Sequence, residues 1–310
     1  MSNRRLHMSN RIRRSNRIRT PASTRIFNLV GGSVLLFMAF ISLGPFVLLI
    51  SASFTSEQSL VHDGFQFIPG EFSLRAYEIL FKNPLIISQA YGVSIFVTAA
   101  GTFFGLLFTA AAAYALSRPY FKYRNKFSFF FYFTTLFNGG LLSTYIFFVR
   151  YLNLKNTYIA LILPPMIQVF FLLIMRTFMA AIPESICESA KIDGASEYII
   201  FLKLILPLST STLAAIGLFL ALSYWNDWYN AMLYVSRSHM YPLQYMLYNM
   251  MTRADALARL SQLAEVRVVD TPSRSLRFAM TVVATGPIIL VYPLVQRYFV
   301  KGVTLGAVKG

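Results

Sequence analysis

The chain has 310 residues, of which 56% are hydrophobic and 13% are charged, and its formal net charge is +16. A soluble domain is about a quarter charged, so twelve acidic and 28 basic residues are too few to give a core of this size a polar surface, which argues against a soluble enzyme. One cysteine, Cys187, and three scattered histidines form neither a disulfide framework nor a metal-ligand spacing, and the sequence has no phosphate-loop or hydrolase motif. We therefore predict an all-α integral membrane protein with no cofactor, metal or catalytic residues of its own.

Six apolar segments are long enough to cross about 30 Å of hydrocarbon as helices. In chain order they are residues 27–51, 90–116, 127–148, 158–179, 204–224 and 276–298. The first is too long for the core of a signal peptide and no small-residue cleavage site follows it, so we expect it to stay in the protein. The third is the weakest, because Asn138-Gly139-Gly140 lies inside it and glycine disfavours helix.

The basic residues indicate how these segments are oriented. The N-terminal segment, 1–26, holds eight arginines and no acid; with the loops 117–126 and 176–203 and the C-terminus, that side has 18 bases and four acids. The other side has ten bases and eight acids. Because cytoplasmic loops carry the excess of lysine and arginine, both termini are predicted to be cytoplasmic. The arginine-rich head has no interleaved aromatic residues and adjoins a span, so we expect it to contact anionic lipids and not nucleic acid.

The loop between the fourth and fifth segments contains several helix signals. Ser185 and Glu188 have the spacing of a capping box, and Gly194 suits the left-handed position that follows a helix. Ser196 is placed to cap a second helix, which Pro207 is expected to kink. A helix of about two turns is unstable alone, so the loop predicts something to pack against, and a partner protein is the simplest candidate.

The same loop resembles the motif E-A-A-x-x-x-G-x(9)-I-x-L-P of the membrane permease subunits of bacterial ABC importers. The sequence reads Glu188-Ser189-Ala190, then Asp193-Gly194-Ala195 and, with nine residues between Gly194 and Leu204, Leu204-x-Leu206-Pro207. Ser189 and Leu204 are conservative departures from the motif. The run 224–228 is similar to the WN-containing segment of carbohydrate-type permeases, and residues 296–310 look like their FVKG…GAVKG tail. The resemblance covers about residues 88–300 and is greatest to the oligosaccharide subgroup.

The resemblance implies a type I importer permease fold with six membrane helices, in a bacterial cell membrane. Its loop 183–207 would contain a coupling helix that contacts a separate ATPase, with the implied contact residues Glu188, Ser189, Ala190, Asp193, Gly194, Ala195, Leu206 and Pro207. The implied partners are a second permease subunit, two ATPase subunits, an extracellular solute-binding protein and membrane lipids. We expect a basic cytoplasmic segment at 1–26, the first span and an extracellular loop at 27–87, the permease core at 88–300 and a cytoplasmic tail at 301–310.

The substrate implied by the resemblance is a carbohydrate, in particular an oligosaccharide. Aromatic platforms and amide or carboxylate groups suit a sugar path, and the candidates are Asn138, Gln168, Trp225, Asn226, Asp227 and Tyr229. The alternative for the aromatic cluster is an interfacial belt, and the alternative for the polar residues inside spans is bonding between helices.

Two other functions stay open at this point. The same architecture serves peptides, amino acids or other polar nutrients, and a membrane scaffold would have no transport path. A membrane enzyme would need clustered ionisable residues within the spans, which the sequence does not have. The external segment 253–275 is either a solvated loop with an amphipathic helix or a docking surface for an extracellular partner.

Overall fold

The computed structural model describes residues 22–263 and 273–307. The α-helices of these residues, α1 to α15 in chain order, are Ala22–Ser53, Glu57–His62, Arg75–Leu80, Pro84–Ser117, Arg124–Leu136, Gly140–Ile146, Ile159–Ile162, Val169–Ala180, Glu184–Ile192, Glu197–Ile200, Leu206–Leu208, Thr210–Trp225, Tyr229–Tyr234, Leu243–Leu263 and Ser273–Ala307. No β-strand occurs in the described ranges, so the all-α prediction is confirmed. Most of the basic N-terminal segment, residues 264–272 of the external segment and the last three residues of the tail lie outside the described residues.

Three of the predicted spans are continuous helices. The first, second and sixth apolar segments correspond to α1, α4 and α15. By length and composition, the uninterrupted spans found in the described part of the chain are Ile26–Ser53 and Pro84–Ser117, and two bent helix pairs would raise the number to four. The count of six therefore remains a prediction.

The other three predicted spans are interrupted, and two of the interruptions have local causes. In the third, α5 ends before Asn138, whose Oδ1 accepts the Gly140 backbone N–H at 2.8 Å, and Gly140 has a φ of +84°. The fourth is not one helix, because α7 and α8 are separated by residues 163–168, which contain Pro164-Pro165. The fifth bends by 81° between Glu197–Leu208 and Thr210–Trp225. Non-helical backbone at membrane depth is tolerated only where protein buries it or water reaches it, so these breaks are expected to face other protein or water and not lipid.

Helix α4 is the centre of the fold and packs closely against α8 and α12. Gly101 and Gly105 form a GxxxG pair on α4, a pattern that lets membrane helices approach closely. A Cβ atom on Gly105 would lie 2.9 Å from the backbone oxygen of Met166, and one on Gly217 of α12 would lie 3.0 Å from Leu106. Around this crossing, a buried apolar cluster joins α4, α8, α9 and α12.

Helices α13 and α14 follow α12 without leaving the body of the protein. The Leu243 backbone N–H, at the start of α14, donates to Ser94 Oγ at 2.8 Å. Ser94 is the eleventh residue of α4, about 15 Å along that helix. Further along α14, Asp255 pairs with Arg277 of α15. The helix therefore begins deep beside α4 and runs toward the ends of α4 and α15 that are predicted to be extracellular.

A carboxylate from the first loop caps the start of α15. The two carboxylate oxygens of Glu57 accept the backbone N–H groups of Arg274 and Ser275 at 2.9–3.0 Å. The Ser275 hydroxyl adds a bond to Glu57 at 3.1 Å. An anion at a helix N-terminus satisfies free amides and complements the helix dipole, so α2 holds the last long helix in place.

Candidate functional site

The short helix in the 183–207 loop is α9, and its N-cap lies two residues before the one that the predicted capping box requires. Pro183 is its N-cap and makes no side-chain cap bond, while Ser185 lies inside the helix. The Ser185 carbonyl accepts the Ser189 hydroxyl at 2.9 Å. The capping-box prediction is therefore wrong, and the Glu188 carboxylate is free of that local role and exposed on the helix surface.

The end of α9 is the predicted one. Gly194 has a φ of +81° and follows the C-cap residue Asp193. Its N–H donates to the Lys191 carbonyl at 3.0 Å, and the Ala195 N–H donates to the Ala190 carbonyl at 2.9 Å. This bond pair is a Schellman motif, which uses a residue without a Cβ at the left-handed position. The prediction that Gly194 ends the helix is confirmed.

The chain then turns into a second helix as the sequence indicates. The Ser196 hydroxyl accepts the Ile199 N–H at 3.4 Å, which confirms the predicted cap. A π-helical turn, Phe201–Ile205, precedes Leu206 and Pro207, and the 81° bend follows at Ser209. Because proline has no N–H to continue the hydrogen-bond ladder, the irregular turn and the bend fit the kink predicted at Pro207. Leu206 is half-buried and Pro207 is exposed.

Helix α9 presents one face to the protein and the rest to solvent. Cys187 is buried in the cluster with α4 and α8, and Ala190 and Ala195 are half-buried against it. Glu184, Glu188, Ser189 and Asp193 are exposed, and the Ile192 side chain is 86% exposed. The outer surface of the helix is therefore acidic, with one large apolar side chain at its end.

A polar network ties α9 to the segment after α4. Lys191 Nζ lies 2.7 Å from Glu197 Oε1 and 4.0 Å from the centre of the Tyr120 ring. The hydroxyls of Tyr114 and Tyr120 donate to Glu197 Oε2 at 2.6 and 2.7 Å. Partial burial acts to raise the pKa of Glu197, but the bonds from Lys191 and the two tyrosines outweigh it and lower that pKa to about 2. The network keeps Glu197 ionised and attaches the turn between α9 and α10 to the end of α4 and the segment after it.

Two of the predicted path residues are engaged in bonds that position helices. Asn138 is exposed and bonds to the backbone at the break between α5 and α6. Gln168 Nε2 donates to Ser223 Oγ of α12 at 3.2 Å. The Gln168 bond joins two helices, which is the alternative that the sequence left open for polar residues inside spans, whereas the Asn138 bond is local.

The four predicted residues after α12 separate into buried and accessible positions. Trp225 is 8% exposed and its indole N–H donates to the Ala284 carbonyl of α15 at 3.0 Å, so it packs in the interior. Asp227 accepts two bonds from Asn230, at 2.6 and 3.0 Å. Asn226 and Tyr229 are exposed.

A cavity of about 340 Å³ opens beside Asn226, between the end of α12, α14 and α15. Trp228 and Tyr248 of its lining stack directly on each other with ring centres 4.4 Å apart, and Gln244 Nε2 lies 3.4 Å from Asn226 Oδ1. Its lining contains aromatic, amide, hydroxyl and apolar side chains but no charged one: Asn226, Trp228, Gln244, Leu247, Tyr248, Met251, Met280, Thr281, Ala284 and Thr285. Trp228, Gln244 and Tyr248 were not among the residues predicted from the sequence. Tyr245 and Tyr248, three residues apart and therefore on one face of α14, were a signal that could have indicated this helix.

Comparisons with known proteins agree with this architecture. The chain is similar to the polygalacturonan/rhamnogalacturonan transport system permease protein YtcP of Bacillus subtilis, with 39% identity over 287 residues, 92% of this chain and 99% of the relative. It is also 39% identical to protein LplC of Bacillus subtilis, over 270 residues, 87% of this chain and 90% of that one. A crystal structure of a bacterial ABC transporter involved in the import of the acidic polysaccharide alginate matches with a TM-score of 0.73 and 29% identity, over 90% of this chain and 98% of that chain. No protein-family model matches the chain.

These matches extend over nearly the whole of each relative, so they include the loop, the interrupted helices and the cavity together. The resemblance noted in the 183–207 loop is thereby confirmed, since one match is a transport system permease protein and another is an ABC transporter, and neither is described as an enzyme. The chain is an integral membrane protein that belongs to the permease subunits of carbohydrate ABC transport systems.

Proposed function

We propose that this chain forms one half of the translocation path of an ATP-driven oligosaccharide importer in a bacterial cell membrane. The observation that carries the proposal is α9, a capped and terminated helix between two membrane helices whose exposed surface nothing in the described chain covers. The other half of the path is a second permease, two ATPase subunits bind on the cytoplasmic side, and a solute-binding protein delivers the sugar from outside.

The proposed topology has six membrane passes with both termini in the cytoplasm. The passes are α1, α4, the α5–α6 pair, the α7–α8 pair, α10 through α12, and α15. The interrupted pairs are supported by the apolar character of their segments, and the orientation is supported by the 18 bases and four acids on one side. The boundaries proposed from the sequence follow: a basic head at 1–26, the first pass and its loop at 27–87, the permease core at 88–300 and the tail at 301–310.

The exposed face of α9 is proposed to dock in a groove of the ATPase. Glu184, Glu188 and Asp193 give it a negative surface, which fits a partner with basic groups, and Ile192 supplies the apolar contact that such interfaces place at their centre. Movement of that groove on ATP binding would displace α9 and bias the permease between two states.

Co-purification of the ATPase with variant permeases tests this docking face. Ile192→Asp and Glu188→Lys are expected to reduce the ATPase bound per permease at least about tenfold, since loss of a central contact typically costs about 2 kcal/mol or more. Ile68→Asp is the matched control, because Ile68 is 79% exposed but lies in the first loop on the predicted opposite side. Full ATPase recovery with Ile192→Asp and Glu188→Lys would refute docking through α9.

The uncharged cavity beside Asn226 is proposed to be part of the sugar path. Stacked aromatic rings suit the apolar face of a pyranose, and the amides of Asn226 and Gln244 suit its hydroxyls. The lining therefore suits a carbohydrate.

Uptake into proteoliposomes that contain the whole complex tests the path. The probes are labelled oligogalacturonides and rhamnogalacturonan oligosaccharides, fragments of the polymers named for the relative YtcP. Trp228→Ala is expected to lower uptake by up to about tenfold, because it removes an aromatic contact worth about 0.5–1.5 kcal/mol, while Trp228→Phe retains most of the uptake. Unchanged uptake in Trp228→Ala would remove the cavity from the path, and uptake of amino acids in place of sugars would refute the substrate class.

A further inference from the structure

A buried guanidinium lies where the coupling loop meets the membrane helices. Arg118 is the C-cap residue of α4 and is only 3% exposed. Pro119 follows it, and the residue before a proline is held in extended backbone, as the Arg118 φ of −79° and ψ of 130° show. The helix therefore stops at Ser117, and the Arg118 side chain turns inward between α8 and α9.

The guanidinium donates to three separate elements. Nη2 bonds to the Met179 carbonyl in the last turn of α8 at 3.0 Å, Nη1 to Cys187 Sγ of α9 at 3.1 Å, and Nε to Ser117 Oγ at the end of α4 at 3.1 Å. Its carbon lies 4.9 Å from the centre of the Tyr114 ring. The planar fork of arginine can satisfy several acceptors at once, which the single ammonium of a lysine cannot do in the same geometry.

The buried Arg118 guanidinium has an energetic cost that an apolar side chain in the same place would not have. The ion pairs of the described residues, Lys191–Glu197 and Arg277–Asp255, do not include Arg118. Burying a cation without a carboxylate costs several kcal/mol, and an apolar side chain of similar volume would fill the same space without that cost. The arginine provides hydrogen bonds that hold α4, α8 and α9 together, which an apolar residue cannot form.

We propose that Arg118 is the positioning residue that makes α9 and α4 move as one body, so that displacement of α9 by the ATPase reaches the centre of the permease. The inference rests on the proposed function, because it concerns how the docked helix transmits movement. Helix α4 packs on both α8 and α12, so whatever moves it also moves the path. The Lys191–Glu197 network holds the same two segments together at the surface and adds a second attachment.

Four variants separate this role from simple packing. Arg118→Met removes all three bonds and keeps the volume, and Cys187→Val removes only the acceptor on α9. Cys187→Ser keeps an acceptor there and is expected to restore what Cys187→Val loses. Arg176→Met is the matched control, because Arg176 also joins α8 to the end of α4, by a 3.2 Å bond to the Leu116 carbonyl, but does not contact α9.

The measurements use the assembled complex in proteoliposomes, with labelled rhamnogalacturonan oligosaccharides as the transport probe. The ATP hydrolysed per sugar imported is expected to rise at least about fivefold in Arg118→Met and Cys187→Val, the lower end of typical coupling between sites, and to stay unchanged in Arg176→Met. A loss of folded complex alone would lower hydrolysis and import together and leave this ratio unchanged.

A second readout needs no sugar. Spin labels on cysteines introduced for Glu184 of α9 and Phe108 of α4, both exposed, report the distance between the two helices. Trapping with ATP and vanadate should leave this distance unchanged in the otherwise unsubstituted complex and shift it when Arg118→Met is added. The proposal is overturned if Arg118→Met leaves the ATP hydrolysed per sugar unchanged. It is also overturned if trapping changes the distance between the labels no more in Arg118→Met than in the complex without that substitution. Absence of both ATP hydrolysis and import in the unsubstituted complex would instead refute the proposed function.

Discussion

Replacement of Gly101 by alanine tests the close approach of α4 and α12. A Cβ atom at this position would lie 2.6 Å from Cε1 and Cε2 of the Tyr224 ring, which is well inside van der Waals contact. The ring has little room to move, because Tyr224 is 3% exposed and its hydroxyl donates to the Ile162 carbonyl at 2.7 Å. Either the helices separate or the tyrosine leaves its site and loses that bond.

The expected loss of stability is the balance of three effects. Overpacking of an interior costs about 1–3 kcal/mol, and loss of the Tyr224 hydrogen bond adds about 0.5–1.5 kcal/mol. Alanine is favoured over glycine in a helix by about 0.8–1.0 kcal/mol, which partly offsets these costs. The free energy of unfolding should therefore fall by roughly 1–3 kcal/mol for Gly101→Ala, which for a protein of this size corresponds to a melting temperature lower by several degrees, at about 2–4 °C per kcal/mol.

Thermal unfolding of the purified permease in detergent, followed by size-exclusion chromatography of heated samples, measures this change. Gly92→Ala is the matched control on the same helix, because no described atom lies within 4 Å of a Cβ atom there, and it should melt at the same temperature or higher. Combining Gly101→Ala with Tyr224→Ala should cost less than the sum of the single changes, since the ring that clashes is gone. Equal melting temperatures for Gly101→Ala and Gly92→Ala would show that the helices do not approach this closely.

Three further changes have defined outcomes. Glu57→Ala removes the carboxylate that caps α15 through Ser275 and should cost about 0.5–2 kcal/mol, seen as faster hydrogen exchange at the start of α15; unchanged exchange there would contradict the cap. Gly194→Ala should destabilise the loop by about 1–2 kcal/mol through backbone strain alone, because the Gly194 φ is +81° and no described atom lies within 4 Å of a Cβ atom there. Gly64→Ala is the control, because Gly64 in the first loop has a φ of +75° and its replacement should cause the same strain without affecting ATPase binding. The pKa of Glu197 is lowered to about 2, so the stability that its carboxylate contributes is complete above the ordinary pKa of 4.5 and is lost as pH falls toward 2. The pKa of Lys191 is raised, so the stability that its ammonium contributes is lost only above pH 10.5. The rate of limited proteolysis of the loop should therefore be constant between pH 4.5 and 10.5, and a transition near pH 7 would contradict the pairing.

Local stereochemistry made parts of the loop predictable from sequence. A glycine after a short helix and a serine before the next one are required by the backbone itself, and both Gly194 and Ser196 have the predicted roles. The capping box failed for an equally local reason. Pro183 is the N-cap and the helix begins at Glu184, so Ser185 falls inside the first turn.

The bonds that fix the loop to the rest of the protein were not predictable in this way. Tyr114 and Tyr120 reach Glu197 across 83 and 77 residues, and Arg118 reaches Cys187 across 69. Hydropathy places the long helices but does not say which of their ends meet. The cavity beside Asn226 was only half predicted for the same reason, since Gln244 and Tyr248 come from a helix that sequence analysis assigned to an external loop.

Helix α4 is central both to the packing and to the proposed coupling. Its glycines bring α12 and α8 close at one level, and at its end Arg118 and Tyr114 attach the loop that is proposed to meet the ATPase. If movement of α4 carries the coupling, a substitution at Gly101 and one at Arg118 should change different quantities. Gly101→Ala should lower stability with little effect on the ATP used per sugar, because the clash separates helices without detaching α9. Arg118→Met should raise that ratio even where the melting temperature is preserved, because it leaves the glycine contacts intact and releases only the loop.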